Sequence, residues 1–325
     1  MKTLTSYQLR NDTAAHFDAV EATTDIDKFC SSLDWLLPAH EAFVPDYPLW
    51  LLNSDAGFVT LAQGFNPRIG RYLQPLEASW CLASAFVGHD IPTLVAEFAE
   101  TVAAGPMDWE LLYLSGIPEK SELYHSIVSA FHPEFRLGVG HTTSRFVARL
   151  DGGFEGWLSR RSSKFRANMR RCTRIAQEDG VQWKWITDVT EANALDYYSR
   201  ILAVEAKSWK GRSGTGILDG AMREFYRGML PRLARRNGLR LMLAERAGED
   251  IAFIFGGVLG DTYRGLQMSF DDEFSRLSLG NLAQYNMIEN LCAEGILRYD
   301  LGSELPYKAN WAKQRHDTVT LWVWR

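Results

Sequence analysis

The sequence predicts a protein of the α/β (α+β) class, in two halves, each built on a mixed and largely antiparallel sheet. Three observations predict it. Short apolar runs bounded by turn signals alternate with helix-period stretches through residues 1–150. The character of the chain changes at Asp151-Gly152-Gly153, where a dense basic stretch begins. Residues 239–302 then read as three strands joined by tight turns, a helix, and a strand parallel to the third. With 325 residues, 46% of them hydrophobic, two domains of ordinary size are expected. The boundary falls near residue 150, giving 1–150 and 151–325.

In the first half, WLL at 35–37, PLWLL at 48–52, FVTLA at 58–62 and ELLYL at 110–114 read as strands. Leu94, Val95, Phe98 and Val102 fall at helical spacing and predict a helix from Thr93 to Ala104, closed by Gly105-Pro106.

The second half opens on residues 160–174, which hold seven arginines and lysines in fifteen positions and no acid. Phe154, Leu158, Phe165, Met169, Cys172 and Ala176 make one apolar stripe through this stretch, so the basic residues surround an anchored amphipathic helix. Two readings stay open: a contact for phosphates or a nucleic-acid backbone, or a solvated face. A helix from about Glu191 to Lys210 follows, with Asp188 and Glu191 spaced as a capping box and Leu195, Tyr198, Leu202 and Trp209 as its apolar positions. Glu205 falls in the middle of that apolar face. An inward carboxylate fits a general base of raised pKa, or a structural ion pair with an arginine of the basic helix. GRSGTG at 211–216 starts from a helix rather than a strand and reads as a connection or lid, not a nucleotide loop. The next helix runs from the cap Asp219 to Asn237.

LRLMLAER at 239–246, IAFIFGGVL at 251–259 and YRGLQMSF at 263–270 are the three strands, turned at AGED and at Gly260-Asp261. A polar loop leads to a helix from about Asn281 to Glu294; ILRYDLG at 296–302 and DTVTLWVW at 317–324 are the last strands. This order is the core order of the GNAT acyl-CoA N-acyltransferase fold.

Four runs go further than topology. FEGWLSRRSSKFRANMRRCTRIAQEDG, VEAKSWKGRSGTGI, LQMSFDDEFSRLSLGNLAQYNMIENLCAEG and YDLGSELPYKANW resemble, in this order, the CelD/BcsL-type acetyltransferases, a family related to the FemABX aminoacyl transferases. The resemblance covers residues 154–325; the first half looks like the degenerate GNAT-like half seen in this group, which implies two tandem GNAT-like halves. It implies acetyl-CoA or another acyl-CoA as co-substrate, with pantetheine along Met268, Ser269 and Phe270 and phosphate on the amides of Ser278, Leu279, Gly280 and Asn281, aided by Arg276. Amides at a helix start favour an anion, although an ordinary cap has the same residues. RLSLGN departs from the family's Arg/Gln-x-x-Gly-x-Gly/Ala loop, its one glycine lying a position late. The implied reaction is attack by an amine or hydroxyl on the thioester. Glu205, Asp271 and Glu304 are the candidate bases and Tyr307 the proton donor to the thiolate. Lys308 is expected to be an ionic partner of Asp300 or Asp271.

The acceptor class expected is a small molecule or a polysaccharide or lipid precursor. A FemABX-like enzyme taking its aminoacyl group from transfer RNA, gripped by the 160–174 helix, is the second reading, and a GNAT-fold binding module without turnover the third. Other classes are poorly served. A net charge of −5 argues against non-specific coating of nucleic acid or membrane. The four cysteines make neither a CxxC pair nor a disulfide framework, and the seven histidines lack HxxH and HExxH spacing, so no metal is expected. No run reaches the length that spans a bilayer and no signal peptide is apparent, so the expected location is cytoplasmic.

Overall fold

The computed structural model describes residues 2–4, 14–21, 23–105, 108–132 and 134–325. The chain forms two compact units, Met1–Ser144 with Asp317–Arg325, and Arg145–His316. The strand expected to end the second half therefore belongs to the first, a long-range partnership that no local pattern encodes.

The first unit holds β1 (Lys2–Leu4), β2 (Leu49–Ser54), β3 (Gly57–Asn66), β4 (Gly70–Pro75), β5 (Phe86–Gly88) and β6 (Leu111–Pro118). Their order is β1-β2-β3-β4-β6, then the C-terminal strand Gln314–Trp324 beside β6; β5 pairs with β3. The β4–β6 pair is parallel, the other pairs antiparallel. Three helices come early, α1 (Ala14–Glu21), α2 (Lys28–Ser31) and α3 (Leu33–Phe43); α4 (Ile91–Ala103) and α5 (Glu122–Phe131) come later. WLL at 35–37 lies in α3, not in a strand. Residues 33–40 are all buried, and a helix buried on every side has no period to distinguish it from a core strand. The helix expected at 93–104 starts two residues earlier, where Asp90 accepts a hydrogen bond from the Thr93 amide. Its Phe98 packs edge-on against Phe86 and Phe131, with ring centres 5.3 and 6.0 Å apart, each fully buried ring contributing ~2 kcal/mol.

In the second unit the strand order is β7-β12-β11-β10-β9-β8, with β7 (Arg136–Arg149) contributing from Arg145 onward. The strands are β8 (Gln182–Ile186), β9 (Leu239–Arg246), β10 (Glu249–Leu259), β11 (Thr262–Phe270) and β12 (Arg298–Ser303). Only β11–β12 is parallel, as the element order predicts. Ala247 and Gly248, with φ of 51° and 83°, turn β9 into β10, the two left-handed positions a tight hairpin needs.

The helices are α6 (Gly153–Ser159), α7 (Ser163–Glu178), α8 (Ala194–Lys207), α9 (Trp209–Ser213), α10 (Gly220–Arg235) and α11 (Leu279–Ala293). The basic stripe is thus two helices, broken where Ser162 caps α7 by accepting from the Phe165 amide. The long helix expected to end at Lys210 also divides, because Ser208 closes α8 and accepts from the Gly211 amide to start α9. Its N-terminal box is formed by Thr190 and Asn193, each side chain accepting from the other's amide, while Glu191 pairs with Arg235. The inward face of α8 is Tyr198, Ile201, Val204 and Glu205; Leu195 and Trp209, expected on it, are 41% and 56% exposed. Alternation along β10 sends Ile254 toward Met287 of α11 and Phe255 toward Tyr226 of α10, 5.4 Å between rings, so the helices cover both faces of the sheet.

Candidate active site

The parallel pair β11–β12 is short. Its register runs from Thr262↔Arg298 to Arg264↔Asp300 and stops there. Beyond that point Gly265–Phe270 of β11 and Leu301 of β12 line opposite sides of a cleft of about 410 Å³.

Two features part the strands. Asp300 is buried between Arg145 (2.5 Å) and Arg264 (2.8 Å) and accepts from the Gly302 amide at 2.7 Å. Burial works to raise its pKa, but Arg264, Arg145 and the amide together hold it below the ordinary carboxylate value. The second feature is a bulge. Phe255 faces Gln267 and Gly256 faces Gly265, leaving Leu266 as the extra residue of β11. Gly256 permits the close approach, since a Cβ there would lie 2.1 Å from the Arg264 carbonyl oxygen.

The walls are mainly apolar, with Ile254, Met268, Phe270 and Leu301, and the rim carries Trp209, Leu305 and Tyr307, 56%, 48% and 43% exposed. Lys210 reaches the cleft from α9 and donates to Met268 O (2.6 Å) and Gln267 Oε1 (3.1 Å). The Met268 carbonyl is therefore turned to the cleft, and its N–H with it, because both groups of one strand residue point to the same edge. Burial lowers the Lys210 pKa, and the charge of Glu205 works against that shift. Lys308 donates to Ser303 O at 2.7 Å; burial, then the Arg264 charge, brings its pKa down to about 8, against the pull of Asp300. Burial also pushes the Tyr307 hydroxyl upward. Ser269 Oγ and Gln284 Nε2, both in the lining, are buried without a hydrogen-bond partner.

The first turn of α11 meets the cleft at Gly280. Ser278, at φ 56°, precedes it without a side-chain cap. Its carbonyl takes the Asn281 and Leu282 amides, which leaves the Leu279 and Gly280 amides at the positive end of the helix dipole.

Of the sequence-predicted residues, Met268, Ser269, Phe270, Gly280 and Tyr307 come together in this lining. The others stand outside it. Leu279 is core, Asn281 is exposed, and Arg276 pairs with Asp179 at 2.9 Å. Asp271 is buried, accepts from the Glu273 amide and lies 3.8 Å from Lys207. Glu304 pairs with Arg315 at the surface. Glu205 is inward, as its spacing predicts, and fully buried. Ser208 donates to its Oε2 at 3.2 Å, Oε1 has no hydrogen-bond partner, and a Cβ on Gly216 would lie 2.2 Å from Oε1. The GRSGTG segment thus begins in α9 and closes over a buried carboxylate.

Residues 163–309 match the acetyltransferase (GNAT) domain family. The match falls within the second unit, which has the GNAT fold. Solved structures with the same fold extend over the whole chain. FemX has a TM-score of 0.66 at 10% identity, covering 98% of this chain and 97% of its own. A conserved protein of unknown function from Bacteroides thetaiotaomicron has 0.64 at 12%, covering 100% and 99%. L-PGS from Bacillus licheniformis has 0.59 at 13%, covering 97% and 91%. At such identities the likeness is one of fold, and with the element order it makes the architecture two tandem GNAT-like halves. Among curated proteins, none matches the sequence.

Sequence reasoning missed Lys210, Gln267 and Gln284 in the GNAT domain's cleft and gave Lys308 only an ionic role. Of its two expected partners, Asp300 is held by Arg145 and Arg264 and Asp271 lies by Lys207. The signal for Lys210 was Ser208, an N-cap residue two places before it, which marks a helix break and a change of facing. Among the described residues, no group of three or more His, Cys, Asp or Glu is placed to hold a metal, and no helix is long and apolar enough to cross a membrane.

Proposed function

We propose that the GNAT domain transfers an acetyl or other acyl group from acyl-CoA to an amine or hydroxyl. The observation that carries this reading is the parting of β11 from β12 beside the uncapped start of α11. The parted strand offers main-chain groups to the amides of pantetheine, and the Leu279 and Gly280 amides suit a phosphate. The thioester carbonyl lies by the Met268 N–H, which stabilises the tetrahedral oxyanion in a largely apolar cleft.

The acceptor nitrogen or oxygen bonds to the carbonyl carbon, the C–S bond breaks, and CoA leaves as thiolate. Tyr307, a phenol and therefore protonated at neutral pH, gives its proton to sulfur and takes the one lost by the acceptor. Glu205, Asp271 and Glu304 do not line the cleft; Glu205 acts through its charge on Lys210.

Titration calorimetry with acetyl-CoA and CoA tests the donor. Micromolar binding that Gly280→Asp weakens supports the reading, and no binding overturns it. A second reading draws on Arg276, whose charge is committed to Asp179, leaving a sparse phosphate cradle. It takes an aminoacyl ester of transfer RNA as donor, with Lys164 and Arg170 exposed on the basic helix; loss of activity after ribonuclease treatment selects it.

A further inference from the structure

The lining of the cleft holds two lysines and no aspartate or glutamate. An ammonium has three donors. Lys210 uses two, on Gln267 and Met268, and Lys308 one, on Ser303. Both lysines are half-buried, so each keeps a donor that can turn to a ligand in the cleft. Among the described residues no carboxylate oxygen lies within 4.0 Å of either ammonium, and Asp300, which acts on Lys308, is already taken by two arginines. Two further polar atoms, Ser269 Oγ and Gln284 Nε2, are buried in the same lining without partners. The two lysines can each donate to a further oxygen, and the rim of Trp209, Leu305 and Tyr307 offers apolar surface beside them.

We infer that the acceptor carries an anionic oxygen group, a carboxylate or a phosphate, next to an apolar body, and that Lys210 and Lys308 receive that group. The inference rests on the acyltransfer reading above. It explains why the cleft has unspent donors and positive charge without a matching acid.

The simplest probes are N-acetylphenylalanine, its neutral amide N-acetylphenylalaninamide, and phenyl phosphate, titrated by calorimetry into the full chain with and without saturating CoA. The acid or the phosphate is expected to bind the CoA-loaded protein about tenfold or more tightly than the amide, the usual worth of a charge-assisted contact. That ratio falls toward one in Lys210→Met and Lys308→Met, while the affinity for CoA itself stays. The tighter of the two anions tells carboxylate from phosphate. Equal binding of acid and amide overturns the inference. So does loss of CoA affinity in the two variants together with exclusion of the acid by CoA, which assigns the lysines to the donor's own phosphates. A chain that binds no CoA sinks the acyltransfer reading separately, and the acid-to-amide ratio measured without CoA still decides the anion site. Where a variant does not fold, the ratio on the unmodified chain decides alone.

Discussion

In the first half β2, β3 and β4 lead through α4 to β6, parallel to β4; in the second, β9, β10 and β11 lead through α11 to β12, parallel to β11. The two halves differ where the parallel strands stop pairing. Beyond Leu112, β6 meets the chain itself: Ser115 donates to Ala83 O, and Gly116, at φ 66°, lies so close that a Cβ would fall 2.4 Å from the Ala83 carbonyl. The buried Glu77 holds this loop by accepting from the Trp80, Leu82 and Ala83 amides. At the same point in the second half the strands open on a cleft. The helix starts differ in the same sense. Asp90 caps α4 and Pro92 removes one of its first amides, whereas α11 starts without a side-chain cap. One half satisfies its own strand edge and helix end; the other leaves both open.

The comparison is broken most severely at Asp300. Asp300→Asn leaves two buried guanidinium groups without their carboxylate and is expected to cost about 3–5 kcal/mol, read by chemical denaturation; a loss under 1 kcal/mol would show that the clamp does not hold the cleft's closed end. Tyr307→Phe keeps the rim and removes the hydroxyl, so kcat should fall about a hundredfold with CoA affinity unchanged. An unchanged kcat would remove Tyr307 from the proton path. In the filled half, Gly116→Ala puts a methyl against backbone at a left-handed φ and should cost about 2 kcal/mol or more, with CoA affinity kept in the folded fraction. Gly280→Asp sets a carboxylate at the open helix start, where a Cβ meets the Phe270 ring at 3.4 Å and Met268 Cε at 3.9 Å, both ordinary contacts, and should weaken CoA about tenfold without lowering stability much.

The smallest effect is one of pH. Lys308, brought to about 8 from 10.5, is charged below that value and neutral above it. Affinity for an anionic probe should therefore hold below about 8, fall a few-fold as pH rises through it, and become flat in Lys308→Met.

Local chemistry made the second half legible. Two-residue turns, strand alternation and a glycine after α11 fix β9 to β12 with little help from elsewhere. The strand residues of the site, Met268, Ser269 and Phe270, came from the family resemblance and not from any local pattern. The rest depends on distant partners. Whether Arg276 faces a phosphate or Asp179, ninety-seven positions away, has no local signature. The loop that fills the first half is equally silent, since Glu77 reads as an ordinary surface acid until the amides of 80–83 close around it.

Hydrogen exchange on the full chain, with and without CoA, tests the central claim that the second half alone keeps an open donor cleft. Protection of peptides covering 265–270 and 279–284, with none in 76–85 or 113–118, is the predicted result. Protection in the first half, or no change at β11 and the start of α11 at saturating CoA, would contradict it.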